Sequence, residues 1–137
     1  MKAVIFRAHG GPEVLEDADV PTPTPGPGEV LVRVKACSLN HLDLWIRQGI
    51  PAYQVTLPHI AGCDVAGVVE QVGSGVTNVN VGHAVFIAPG LSCFQCAWCK
   101  AGHDNMCQSY GIFGARTDGG YAEFANARAG DLIPIPA

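Results

Sequence analysis

The sequence lacks any apolar run approaching the roughly 18 residues that would suggest a membrane span. Its start, Met1-Lys-Ala-Val-Ile-Phe-Arg7, has too short an apolar stretch for a secretory signal. It also lacks a surplus of positive charge. Eight Lys and Arg stand against twelve Asp and Glu, a formal charge of −4, which argues against a nucleic-acid surface. No internal repeat is visible. These absences predict a chain of the reducing cytoplasm, with neither membrane nor nucleic acid as a partner. There, a cysteine cluster more often means metal than disulfide.

What is present is compact. The 137 residues suit one domain, and 48% apolar content can supply its core. Seventeen Gly and ten Pro point to many turns and short strands. Four of the six cysteines, Cys93, Cys96, Cys99 and Cys107, fall within fifteen residues, with gaps of two, two and seven. A tetrahedral ion needs four thiolates about 2.3 Å away. Two short gaps wrap one side of it, and the longer excursion returns the fourth ligand. Such a set leaves no open coordination position, so Zn²⁺ here would be structural. An iron–sulfur cluster is a second reading, but the bacterial run continues x3-Cys-Pro, and here the gap is seven and Gln108 follows. Two disulfides or free thiols are the third. His103 could replace one thiol, but four cysteines suffice.

Along the chain, Lys2 to Phe6 and Val14 to Val20 read as strands, the second with a solvated acidic face at Glu16, Asp17 and Asp19. Pro21 to Gly28 alternates prolines, which forbids helix and central ladder alike. Glu29 to Ala36 is the clearest strand, with Val30, Val32, Val34 and Ala36 on one face. Asn40 to Gln48 reads as a short helix: Asn40 sits at the N-cap, Asp43 at the capping-box position and Gly49 at the stop. Ala66 and Gly67 suggest close packing or a bulge. Ala84 to Ala88 and Tyr121 to Asn126 read as further strands. The pattern predicts a mainly β barrel or sandwich with a satellite cysteine lobe at about residues 90–110.

Taken in order, Pro25-Gly-Pro-Gly-Glu29-Val-Leu-Val, Asn40-His-Leu-Asp43-Leu, Leu57-Pro-His-Ile-Ala-Gly62-Cys-Asp64-Val-Ala-Gly67, the cysteine lobe and Gly119-Gly-Tyr-Ala-Glu123 make the chain resemble the N-terminal, GroES-like catalytic domain of the medium-chain dehydrogenase/reductase family. The resemblance covers essentially residues 1–137. It implies a mainly β, partly open barrel with short helices and a zinc lobe. It implies structural zinc on Cys93, Cys96, Cys99 and Cys107, residue by residue. The family's catalytic zinc is another matter. Its Cys position is Asn40 here, and its Gly-His-Glu triplet is Gly62-Cys63-Asp64. Both resemble the zinc-free quinone-reductase branch, whereas the lobe resembles the zinc-containing branch.

The resemblance therefore makes Asn40, His41, Asp43, Cys63 and Asp64 the candidate catalytic residues. Asn40 and Asp43 could orient substrate, and His41 could contact a cofactor phosphate or relay a proton. Cys63, with Cys37, His41 and His59 nearby in sequence, could hold a metal, or could be a small buried residue. Neither Gly26-Pro-Gly28 nor Gly73-Ser-Gly75 opens the helix of a Gly-x-Gly-x-x-Gly cofactor turn. A Rossmann domain is therefore expected to be absent, and with it the NAD(P) site of a two-domain parent acting on a small alcohol or carbonyl substrate. The alternative expectation is a truncated, stand-alone zinc-stabilised β module without redox turnover, whose uncovered apolar surface favours homo-oligomers.

Overall fold

The computed structural model describes residues 1–136, and its architecture is mainly β. In chain order the elements are β1 (Lys2–Phe6), β2 (Leu15–Asp19), β3 (Glu29–Cys37), α1 (His41–Gln48), β4 (Val65–Val72) and β5 (Ala84–Ile87). Then follow β6 (Gly90–Leu91), α2 (Ala97–Lys100), β7 (Gly111–Ile112), β8 (Phe124–Arg128) and β9 (Leu132–Pro134). Strands β8, β3, β4, β5 and β9 form one sheet in that order, and every pairing in it is antiparallel. The β1–β2 hairpin and the β6–β7 pair form two small separate sheets. These sheets do not close into a complete barrel.

The hairpin is tied to the large sheet by the segment that was expected to be the first half of β8. Val4 N–H donates to Tyr121 O at 2.8 Å and Glu123 N–H to Lys2 O at 3.0 Å. Val34 N–H donates to Glu123 O at 2.9 Å. Residues 121–123 thus pass from β1 to β3, and the regular ladder with β3 begins only at Phe124. On β3, Val30 and Val32 are buried as the alternation predicts, but Ala36 is exposed. The register against β4 shifts between Val34 and Ala36, so the end of the strand leaves the alternation. Gly67 lies beside this irregularity. A Cβ there would sit 2.3 Å from Arg33 O, so the two backbones approach too closely for any side chain.

The main core collects Val30, Val32, Val65, Val69, Val85, Ile87, Phe113 and Leu132 from the large sheet and its loops. A second cluster, Phe6, Ile46, Ala61 and Ala115, holds α1 against the hairpin. The helix forms where its local signals place it. Asn40 is the extended N-cap, Asp43 supplies the acid of the capping box, and Gly49 closes the helix in the left-handed region at φ 81°. β2 runs with Glu16, Asp17 and Asp19 exposed, as its acidic pattern predicts. No helix among the described residues is long and apolar enough to cross a membrane.

Candidate metal centre and cleft cluster

The lobe leaves the small two-stranded sheet after β6 and returns to it at β7. Cys93 follows β6, Cys96 caps α2, Cys99 lies within α2, and Cys107 follows a 3-10 turn at Asp104–Met106. Phe94 takes a positive φ of 55°, which turns the chain back over Cys93. All four Sγ atoms lie within 4.8 Å of one another. The Cys93–Cys99 pair is 3.9 Å apart and the Cys96–Cys99 pair 3.5 Å. Four sulfurs about 2.3 Å from a central ion would be about 3.8 Å apart, so the donor set and its spacing fit Zn²⁺. The six cysteines are free thiols. The sulfurs converge on a space one ion wide, too small for the irons and sulfides of a cluster.

Backbone donors prepare these sulfurs for ionisation. Gln95 and Cys96 N–H groups point at Cys93 Sγ at 3.5 and 3.3 Å, and Cys93 N–H points at Cys107 Sγ at 3.4 Å. The Gln95 and Cys96 donors draw the Cys93 thiol down to about 6. The Cys99 N–H draws Cys96 down, whereas burial and the neighbouring thiols push Cys99 up to about 12. His103 is exposed, lies edge-on to Trp98 and stands outside the thiol set.

The lobe's anchor was not legible in the sequence. Arg128 donates Nη1 to Ser92 O at 2.6 Å and forms a two-pronged pair with Asp131 at 2.7 and 3.0 Å. Its guanidinium also covers the Phe94 ring at 5.1 Å. Ser92 Oγ in turn donates to Asp104 O at 2.9 Å. One side chain therefore joins the lobe base to the turn between β8 and β9.

The second site forms where the loop after β3 meets the loop before β4. Asn40 Nδ2 lies 2.8 Å from Asp64 Oδ2, 3.2 Å from Ser38 Oγ and 3.4 Å from Cys63 Sγ. Ser38 Oγ donates to Asp64 Oδ2 at 2.9 Å. Asn40, Cys63 and Asp64 are thus brought together, and Ser38 joins them unpredicted. Asp43 lies beneath and is only 8% exposed. It accepts Asn40 N–H at 2.7 Å, Gly62 N–H at 3.1 Å and the Tyr121 hydroxyl at 2.7 Å. With these partners Asp43 ties together the loop before α1, the loop before β4 and Tyr121. Burial, and then the Asp43 carboxylate, hold the Tyr121 phenol well above its ordinary range, so it remains a donor.

Other expectations fare differently. His41 is exposed and packs edge-on to Trp45 at 4.9 Å. His59 is buried, with Nε2 2.9 Å from Gly114 O and its ring edge-on to Phe6 at 5.5 Å. It fills the core and does not turn toward Cys63. Burial, and then the carboxylates of Asp43 and Asp64, raise the Cys63 thiol. Burial and Asp43 push Cys37 up to about 12. Cys63 is buried, and Asn40 Nδ2 is its side-chain partner. Among the described residues, the lobe cysteines are the group of three or more His, Cys, Asp or Glu whose ligand atoms converge.

Residues 26–137 match the family described as alcohol dehydrogenase GroES-like domain. An alcohol dehydrogenase of Geobacillus stearothermophilus is 39% identical over 138 residues, covering 99% of this chain and 40% of that protein. A crystal structure of an NAD-dependent alcohol dehydrogenase superposes with a TM-score of 0.94 at 51% identity, over 98% of this chain and 39% of that one. A cobalt- and zinc-bound thermostable alcohol dehydrogenase from Pyrobaculum aerophilum gives a TM-score of 0.93 at 41% identity, over 100% of this chain and 42% of that one. The chain thus spans about two fifths of the length of these relatives. By sequence, architecture and lobe, the chain belongs to the alcohol dehydrogenase GroES-like domain family, as an alcohol dehydrogenase N-terminal domain.

Proposed function

We propose that this chain is the substrate-side domain of a two-domain, NAD(P)-dependent oxidoreductase acting on a small alcohol or carbonyl compound. One observation carries the reading: Asn40 Nδ2 and Cys63 Sγ meet at 3.4 Å. These are the two positions to which the family resemblance assigns ligands of a catalytic zinc. The two loops still meet, while the side chains in them are an amide and a thiol. Substrate orientation would then rest on hydrogen bonds. Asp64 and Ser38 are exposed at the edge of the cluster and can exchange their mutual bond for one to a substrate hydroxyl. Bound NAD(P) would supply or accept the hydride. Zinc on Cys93, Cys96, Cys99 and Cys107 would hold the lobe and, with no open position, take no part in turnover.

The test is to read the coding sequence after Ala137, express the whole product and assay alcohol oxidation with NAD⁺ and NADP⁺. A following nicotinamide-binding segment and measurable turnover are expected, with Asp64→Ala lowering kcat/KM by about tenfold or more. No such segment and no turnover would sink the reading. A stand-alone zinc-stabilised β module is then the remaining reading, favoured by the self-contained core around Val30, Val32, Val65 and Phe113.

A further inference from the structure

The Tyr121 hydroxyl reaches the carboxylate that organises the cluster, Asp43 at 2.7 Å, and also Ser38 O at 3.1 Å. Tyr121, Asn40 and Gly62 come from segments remote in sequence, and each donates to Asp43. The Gly119–Tyr121 run is itself laced to the Gly62 loop. Gly119 N–H donates to Ile60 O at 2.7 Å, Gly120 N–H to Gly62 O at 2.9 Å and Tyr121 N–H to Ala61 O at 3.0 Å. The Tyr121 ring is packed onto Gly62, where a Cβ would lie 2.9 Å from it. Tyr121 is therefore fixed against the loop that carries Cys63 and Asp64. Its hydroxyl passes that position to Asp43, and Asp43 passes it to Asn40 at the start of α1.

We propose that Tyr121 and Asp43 are positioning residues whose hydrogen bond sets the spacing between Asn40 and the Cys63–Asp64 pair. The functional importance of that spacing rests on the cleft reading above, but the spacing itself is measurable without turnover. The chain is loaded with zinc and compared with Tyr121→Phe and with Val79→Ala, which weakens the buried core away from the cluster. Two quantities are read: the NMR resonances of the Asn40 side-chain amide, and the rate at which an aromatic disulfide reagent modifies Cys63, located by peptide mass. Tyr121→Phe should move the Asn40 amide pair and speed Cys63 modification by about tenfold through local opening. Val79→Ala, even at a similar loss in Tm, should leave the Asn40 resonances in place and the rate within about twofold.

Equal Cys63 rates in the two variants at matched stability, or an unmoved Asn40 amide in Tyr121→Phe, would overturn the proposal. If Tyr121→Phe does not fold, Asp43→Asn is read in the same way. If neither folds, the pair is a folding element and the positioning role is rejected. Failure of the dehydrogenase reading would appear in the turnover assay and leave these two readouts unchanged.

Discussion

At Cys93, backbone N–H groups of Gln95 and Cys96 point at the sulfur and favour its thiolate. At Cys37, burial and the Asp43 carboxylate favour the thiol and push it up to about 12. The folded chain then keeps the Cys37 proton across a window from about 9 to about 12, in which an unfolded chain gives its own up. The unfolded state binds fewer protons there, so stability falls as pH rises through the window. The denaturant midpoint should therefore fall more steeply between about pH 9 and about pH 12 in the wild type than in Cys37→Ala. Parallel slopes for the two proteins would contradict this account. Cys63 is ambiguous in the sequence for the same reason: its thiol is raised by burial and then by Asp43 and Asp64, surroundings that come from other parts of the chain.

We expect the lobe to depend on metal more than any other element. α2 has four residues and the following 3-10 turn has three, too short to persist without an external constraint. Structural zinc contributes roughly 10–16 kcal/mol in small peptides at neutral pH. Loaded chain should hold about one zinc, and Cys107→Ser should weaken its affinity by at least about tenfold. Chelation should expose the Cys93–Cys107 segment to protease and change Trp98 fluorescence, while the far-UV signal of the large sheet persists. Loss of the whole sheet on chelation would show that the lobe is no satellite. Elements of this kind were legible because their determinants are local. The lobe's spacing and the helix signals Asn40, Asp43 and Gly49 lie within a few residues of the structures they specify. The Tyr121–Asp43 bond spans 78 positions and the Arg128–Ser92 bond 36, so no local pattern could announce them. Ala36 went astray for a related reason, since the register shift that exposes it is a property of two strands together.

Over the whole molecule, apolar side chains remain uncovered in separate regions. Leu39 is 85% exposed beside a groove of about 370 Å³ that also takes in Val4, Phe6, Leu15, Leu44 and Tyr121. Phe86, Ile133 and Ile135 are exposed on and just beyond β5 and β9, while Phe94, Trp98 and Met106 are exposed on the lobe. Such surface favours association, strengthened by salts excluded from protein surfaces. Sedimentation should therefore show mass rising with concentration and with added sulfate, and a Leu39→Glu, Leu44→Lys double variant should remain closer to a monomer. A constant mass in all conditions would count against this. The arginine at position 128 gives the molecule a second long-range property. It spans the carbonyl beside the first zinc thiolate and the carboxylate that precedes β9. The lobe base is thereby held from β8, an edge strand of the large sheet. Loosening of the turn after β8 would therefore be felt beside Cys93, on the far side of one guanidinium.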